Sequence, residues 1–149
     1  MARTRRETQA ERLILDSGAI IALSRSEERA RAYLWRALEL DADVVVPVVV
    51  LAETLRGGPK DAHVNRVLKA IGKIEPTSAE TGRLAGSLLG STGKVDTIDA
   101  IVVAEALTRG GGRILTSDPD DLGELAESHP SVRIDSLASP SKRRRQTRR

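Results

Sequence analysis

The sequence contains no cysteine and no phenylalanine, and it has only one tryptophan and one tyrosine. The absence of cysteine excludes a disulfide framework and a metal site built on thiolates. Because aromatic side chains are so scarce, the core must be aliphatic, and a nucleic-acid surface of stacked aromatic rings is disfavoured. The longest apolar run, residues 44–52, is far shorter than the roughly 20 residues that cross a bilayer.

The N-terminal residues are basic, but no apolar segment follows them, so we do not expect them to act as a secretory signal. Together with the missing membrane span and the missing cysteine, this predicts a cytoplasmic protein without membrane contact. The length of 149 residues fits one domain with a single core.

Positive charge is concentrated near both ends of the chain, although the formal net charge is only +3. Without the ten basic side chains near the two ends, the rest of the chain has a net charge of −7. Basic ends on an acidic centre indicate contact with polyanions, whereas the alternative is that they only keep the protein soluble. We predict a basic N-terminal tail at residues 1–11, a folded domain at 12–137 and a basic, disordered C-terminal tail at 138–149.

Short apolar runs alternate with helical patterns along the folded region. Strands are predicted at residues 12–16, 44–46, 113–118 and 132–137. Helices are predicted between them, with a cap signal at Ser26 and a capping box formed by Thr77 and Glu80. This alternation predicts an α/β fold with a largely parallel sheet.

Residues 90–94 look at first like a phosphate-binding loop. The full pattern needs a glycine at position 88 and a serine or threonine after Lys94, but the sequence has Leu88 and Val95 there. We therefore interpret residues 90–94 as an ordinary loop.

Several carboxylates occur where an open parallel sheet places its ligand crevice, at the carboxyl ends of the strands. Asp16 and Asp118 each end an apolar strand, and Glu53 lies on the helix after the second strand. Asp99 lies in the first turn of an apolar helix, one turn after Asp96. Ionised carboxylates that gather among apolar residues repel one another unless a cation is bound, and Mg²⁺ or Mn²⁺ prefers such oxygen ligands. The alternative for Asp16 and Asp96 is a helix cap, and for Asp118 a turn before proline.

Four segments carry a resemblance to a known family. They are LILDSGAIIAL at residues 13–23, VVLAETLRG at 49–57, DAIVVAEA at 99–106 and ILTSDPDDL at 114–122. In this order and spacing the chain resembles a PIN domain, and most of all the VapC-type toxins of bacterial toxin–antitoxin pairs. The resemblance covers residues 12–137 and implies a three-layer α/β/α fold. One departure is Leu122, at a position where the family often has an aromatic residue.

The resemblance implies a metal-dependent endoribonuclease whose four acidic positions fall on Asp16, Glu53, Asp99 and Asp118. Asp16, Asp99 and Asp118 would hold Mg²⁺ or Mn²⁺, which activates a water and neutralises charge on the phosphoryl oxygens. Glu53 would complete the ring or orient the water, and Asp96 is a secondary candidate ligand. Since the acidic pocket repels RNA, basic groups must hold the RNA backbone. The candidates for this contact are Arg56, Lys94, Arg113 and the two tails.

The partners implied by the resemblance are an RNA substrate, a cognate antitoxin protein and a second copy of the chain in a homodimer. One alternative is a nucleic-acid-binding module that has the PIN fold but no catalysis. Another is a PIN-like nuclease that acts outside any toxin–antitoxin system. The presence of all four acidic residues favours an enzyme over the binding module.

Overall fold

The computed structural model describes residues 11–138, which form one sheet with helices on both faces. Both predicted tails therefore lie outside the described residues, apart from Glu11 and Ala138. The five strands are all parallel and are ordered β3-β2-β1-β4-β5 across the sheet. Their bounds are β1 Arg12–Leu15, β2 Asp43–Pro47, β3 Ile74–Glu75, β4 Gly112–Thr116 and β5 Val132–Ser136.

Seven α-helices in the described part of the chain cover the sheet and complete a three-layer α/β/α fold. They are α1 Ser17–Ser24, α2 Glu28–Glu39, α3 Val48–Thr54, α4 Ala62–Ile71, α5 Ala79–Thr92, α6 Thr97–Thr108 and α7 Pro119–Ala126. A short 3₁₀ turn, Pro59–Asp61, precedes α4. The predicted fold class is thus confirmed. Among residues 11–138, no helix has the combination of length and apolar composition that crossing a membrane requires.

The core is aliphatic, as the composition predicts. The central strands β1 and β4 place Ile14 beside Ile114 and Leu15 beside Leu115, and all four side chains are fully buried. Helices cover both faces of these strands, which explains why their sequences are continuously apolar and do not alternate. Burying each such side chain contributes roughly 1.5–3 kcal/mol. This rigid centre fixes the positions at which the two strands end.

Three local predictions are wrong. Glu27, and not Ser26, is the residue before α2, because Ser26 has a φ of 55°. Helix α5 is capped by Ser78, whose hydroxyl accepts from the Thr81 amide at 3.1 Å, so the predicted capping box at Thr77 does not form. Helix α5 also continues through Thr92, so most of the predicted loop at 90–94 is helical and ends at Gly93 in the left-handed conformation.

Candidate active site at the carboxyl edge of the sheet

Asp16 follows the last residue of β1 and begins α1. Its Oδ1 accepts a hydrogen bond from the Ala19 amide at 3.0 Å, and its own amide donates to the Leu115 carbonyl at 3.3 Å. The side chain is 7% exposed. Burial raises the pKa of Asp16 to about 6, although contacts with Thr116 and the Ala19 amide oppose the shift. Asp16 therefore caps α1. Because its carboxylate is buried, its ionisation is less favourable than in water.

Asp99 lies in the first turn of α6, where Asp96 caps the helix. The Asp96 Oδ1 accepts from the Asp99 amide at 3.0 Å. The pKa of Asp99 is raised to about 7, first by burial and then by repulsion from a set of neighbouring carboxylates, which are Asp96, Asp16, Glu53 and Asp121. We call Asp16, Glu53, Asp96, Asp99 and Asp121 the acidic cluster. Its members lie directly after β1, on α3, at the start of α6 and in the first turn of α7.

Glu53 and Asp118 stand at the margin of this cluster. Glu53 is exposed on α3, and its charge raises the pKa of both Asp16 and Asp99. Asp118 is exposed at the start of α7, where its side chain makes no cap bond and its amide donates to the Thr116 hydroxyl at 3.1 Å. Asp118 is not among the main causes of the raised pKa of Asp16 or Asp99. The structure thus brings Asp16, Glu53, Asp96 and Asp99 together and leaves Asp118 beside them.

Asp121 is a member of the cluster that the sequence interpretation missed. It lies in the first turn of α7, three residues after Asp118, so both carboxylates occur on one turn of the helix. That spacing was readable from the sequence once Pro119 was recognised as the helix start. The Asp121 carboxylate also contacts the Lys94 ammonium at 3.2 Å.

The donor set fits a hard divalent cation in charge and in atom type, since every member is a carboxylate. Within residues 11–138, however, no group of three or more His, Cys, Asp or Glu side chains is close enough to hold an ion as the side chains stand. Exposed side chains change rotamer readily, and Glu53 and Asp118 are both exposed beside the buried Asp16.

The predicted RNA-contact residues occupy three different environments. Lys94 contacts the carboxylates of Asp121 and Glu124. The Arg56 guanidinium donates to two carbonyls at the end of α3, at 3.0 and 2.9 Å. Arg113 is the second residue of β4, roughly 10 Å before the carboxyl end of the strand, where it pairs with Glu11 and Asp135. Lys94 therefore lies beside Asp121 of the acidic cluster, whereas Arg113 lies towards the amino-terminal end of β4.

The loop after α3 is held by a residue that the sequence did not single out. Asp61 is 7% exposed, and its two oxygens accept from the Arg56 amide at 3.1 and 2.9 Å and from the Gly57 amide at 2.7 Å. These charge-assisted bonds fix the chain immediately after the helix that carries Glu53. Asp61 therefore positions the α3 end of the site.

Gly18 allows the start of α1 to lie directly against the end of β4. A Cβ at Gly18 would be 2.2 Å from the Ser117 Oγ and 3.0 Å from the Ser117 amide nitrogen. Asp16 lies two residues before Gly18, and Asp118 directly follows Ser117. The close packing of the two connections therefore determines how near these two carboxylates lie.

We expect Gly18→Ala to lower the free energy of unfolding by about 1–3 kcal/mol, because the added methyl group overlaps Ser117. Adding Ser117→Ala to this variant removes the hydroxyl and should recover part of the loss. The matched control is Gly123→Ala in α7, where a Cβ meets nothing within 4 Å, so the helix should gain about 0.5–1 kcal/mol. Urea unfolding of wild type, Gly18→Ala, Gly18→Ala/Ser117→Ala and Gly123→Ala measures these changes in the free energy of unfolding. Equal effects of the two glycine substitutions would contradict the expected overlap with Ser117.

Comparison with known proteins gives a family match and several structural matches. The PIN domain family matches residues 13–127. A search of curated proteins gave no match. VapBC2 from Rickettsia felis, solved bound to a DNA fragment from its promoter, has a TM-score of 0.63 at 15% identity, covering 84% of this chain and 98% of that chain.

Two further solved structures have the same fold. A toxin–antitoxin complex from Klebsiella pneumoniae has a TM-score of 0.61 at 20% identity, with coverage of 80% of this chain and 94% of that chain. FitAcB from Neisseria gonorrhoeae has a TM-score of 0.59 at 20% identity, with coverage of 82% and 95%. The family match extends over most of the chain and includes all the carboxylates of the acidic cluster. The chain therefore belongs to the PIN domain family.

Proposed function

We propose that the protein is a metal-dependent endoribonuclease and the toxin of a toxin–antitoxin pair. The observation that carries the proposal is the acidic cluster, in which burial and mutual repulsion raise the pKa of both Asp16 and Asp99. Helix capping accounts for Asp16 and Asp96 one by one, but the mutual repulsion of the gathered carboxylates opposes folding. A bound cation removes that repulsion, which supports a metal-dependent activity. The proposed nuclease domain comprises residues 12–137.

In this proposal Asp16, Asp99 and Asp118 hold Mg²⁺ or Mn²⁺, and Asp96 is a secondary ligand. The bound ion supplies activation of a water and neutralisation of phosphoryl charge. Asp16 is held rigidly, because its backbone joins β4 through the Leu115 carbonyl and its side chain caps α1. Glu53 is exposed at the mouth of the cluster, where it orients the attacking water and accepts its proton.

The partners in this proposal are an RNA substrate, an antitoxin and a second copy of the chain. The similar solved structures named as toxin–antitoxin proteins support the antitoxin. Helix α2 also exposes Trp35 at 68% and Leu38 at 50%, and Leu40, which follows the helix directly, is exposed at 62%. An exposed apolar patch of this kind favours a protein partner. We also propose that the protein acts in the cytoplasm, where it would meet both RNA and a co-expressed antitoxin.

The proposal is tested by metal removal. Purified protein should cleave a mixed-sequence RNA in Mg²⁺ or Mn²⁺, and EDTA should lower the rate by about 10³-fold or more, since the carboxylates alone offer no activated water. Restoring Mg²⁺ in excess should restore cleavage. Full activity in EDTA would contradict the metal-dependent mechanism.

The toxin assignment needs a separate measurement. Induced expression should stop growth, and co-expression of a small reading frame immediately upstream of the gene should relieve the arrest. RNA cleavage without growth arrest would favour a nuclease that acts outside a toxin–antitoxin system. RNA binding without cleavage in any divalent ion would favour the non-catalytic binding module.

A further inference from the structure

Strand β5 lies at an edge of the sheet, so only one side of its backbone pairs with a neighbouring strand of the described fold. That neighbour is β4. The Gly112 amide donates to the Ser131 carbonyl at 3.0 Å, and the Leu137 amide donates to the Thr116 carbonyl at 2.7 Å. Backbone groups alternate between the two sides of a strand, so residues 131, 133, 135 and 137 bond towards β4.

The backbone groups of residues 132, 134 and 136 point away from β4. The Val132 amide donates to the His129 carbonyl at 3.0 Å. Within residues 11–138, the amides and carbonyls of Ile134 and Ser136 have no hydrogen-bond partner on this side of the strand. A row of unpaired backbone groups at a sheet edge is a template for pairing with another strand.

The two charged side chains of β5 have opposite signs and incomplete partners. Arg133 and Asp135 are two residues apart, so they lie on the same face of the strand. Arg133 is exposed and forms no ion pair within the described part of the chain. The Asp135 Oδ2 accepts from the Tyr33 hydroxyl and from the Arg113 guanidinium, the latter at 3.2 Å. The Asp135 Oδ1 and the Arg133 guanidinium are therefore available to a partner at this edge.

A second copy of β5, running in the opposite direction, fits this edge in both charge and hydrogen bonding. When two such strands pair about Ile134, each Arg133 lies directly opposite Asp135 of the partner subunit. The outward amide and carbonyl of Ile134 then bond to the same groups of the partner subunit. A parallel arrangement would instead place like charges beside each other. Opposite charges directly across a strand pair are stabilising and like charges are destabilising, so the antiparallel arrangement is favoured.

We propose that β5 is the homodimer interface, at which two copies pair antiparallel about Ile134 and form one continuous sheet. The same strand serves both copies, so the assembly closes at two subunits. Helix α2 bonds to this strand and the residue after it, through Tyr33 to Asp135 and through Arg29 to the Leu137 carbonyl at 3.5 Å. The pairing therefore brings α2 of one copy beside α2 of the other and adds helix contacts to the strand contacts.

The direction of pairing keeps the two acidic clusters apart. All strands of one copy end at the edge of the sheet that carries its cluster. Antiparallel pairing points these edges in opposite directions, so the two clusters lie at opposite edges of the joined sheet. Each cluster therefore acts on RNA without the other. This consequence rests on the proposed function, whereas the strand pairing does not depend on nuclease activity.

A single introduced thiol tests the register, because the sequence contains no cysteine. In the proposed pair the two Cα atoms of residue 134 are about 5.5 Å apart, which lies within the usual disulfide range. Ile134→Cys should therefore give mostly disulfide-linked dimer with oxidised glutathione, as seen on a non-reducing gel. The matched control is Ile74→Cys in β3, the strand at the other edge of the sheet, where the exposed thiol should leave the chain mostly monomeric on the gel.

A charge reversal tests the ion pairs in the otherwise unmodified chain. Arg133→Glu converts two opposite-charge pairs into two like-charge pairs, so the dimer Kd should rise by about 10-fold or more. Arg83→Glu makes the same charge change at an exposed position on α5, and its Kd should stay within about 2-fold of wild type. Sedimentation equilibrium over a range of protein concentrations measures the Kd. RNA cleavage per chain should stay within about 2-fold of wild type in Arg133→Glu, because each cluster acts alone.

The inference stands only if the Ile134→Cys dimer forms selectively and Arg133→Glu weakens association. A wild-type dimer that shows neither effect would overturn it and place the homodimer contact on another face. A wild-type protein that stays monomeric at all concentrations would overturn both the inference and the proposed homodimer, and would leave the nuclease proposal untouched. Both effects in a protein that cleaves no RNA would uphold the inference and reject the proposed nuclease activity.

Discussion

Asp16→Asn is expected to reduce kcat/KM for RNA cleavage by about 10³-fold or more, which is the range for losing a group at the reacting centre. The amide has no charge with which to hold a divalent cation. The fold should persist, because an asparagine oxygen can accept the Ala19 amide and asparagine is as good a helix cap as aspartate. Single-turnover cleavage of a labelled RNA in Mg²⁺ measures the loss.

Two further variants separate charge from capping. Asp16→Ala loses the cap as well as the charge and should unfold about 1 kcal/mol more easily than Asp16→Asn. Asp41→Asn removes the same charge before β2, at the opposite edge, in a left-handed conformation with φ 57° that asparagine tolerates. Its cleavage rate should stay within about 2-fold of wild type. If Asp16→Asn also stayed within 10-fold, Asp16 would be a helix cap and nothing more.

The fold could be predicted from the sequence because its signals are local and strong. The apolar run before Asp16 and the one before Asp118 are too short for helices, and each is followed by residues that start one. Parallel strands separated by helices must end at one edge of the sheet, and the helix that leads into the next strand must start at that edge. The convergence of Asp16, at a strand end, with Asp99, at a helix start, therefore follows from the order of the elements along the chain. The first residue of each helix was harder to predict. Thr77 and Ser78, for example, are both good helix caps, and only packing decides between them.

The electrostatic partners could not be predicted, because they depend on contacts between distant parts of the chain. Arg113 has the same local sequence character as a ligand-binding arginine, but residues 102 and 22 positions away pair with it. Lys94 is likewise bound by Asp121, 27 residues further on. A basic residue near a motif is therefore weak evidence of RNA contact until its neighbours in the fold are known. Asp61 was missed for the same reason, since its role depends on the turn that brings it back to Arg56.

In EDTA, the free energy of unfolding should fall as the pH rises from about 4.5 to 8. The pKa values of Asp16 and Asp99 are about 6 and about 7 in the folded protein, against 3.8 for the ordinary group. Across this window the folded state therefore binds protons that the unfolded state has released, so raising the pH favours unfolding. Asp16, which is almost wholly buried, contributes up to about 3 kcal/mol. Asp99 is only half-buried, and solvent screening reduces its share.

Urea unfolding at a series of pH values measures how the free energy of unfolding depends on pH. Two changes should relieve the repulsion that causes this dependence. The double variant Asp16→Asn/Asp99→Asn should have little pH dependence between 4.5 and 8, and at pH 8 in EDTA it should be more stable than wild type. Saturating Mg²⁺ at pH 8 should also stabilise wild type, by about 2.7 kcal/mol at 100 times its Kd, and should leave the double variant unchanged.

Asp41→Asn again provides the matched control, because it removes a carboxylate without touching the cluster and should keep the wild-type slope. A wild-type protein whose stability stays level or increases from pH 5 to 8 in EDTA would contradict the raised pKa values. Stabilisation of the double variant by Mg²⁺ equal to that of wild type would place the ion elsewhere. The expected pattern has one physical source, since the same carboxylates that oppose folding at neutral pH are the ones whose charge a divalent cation requires.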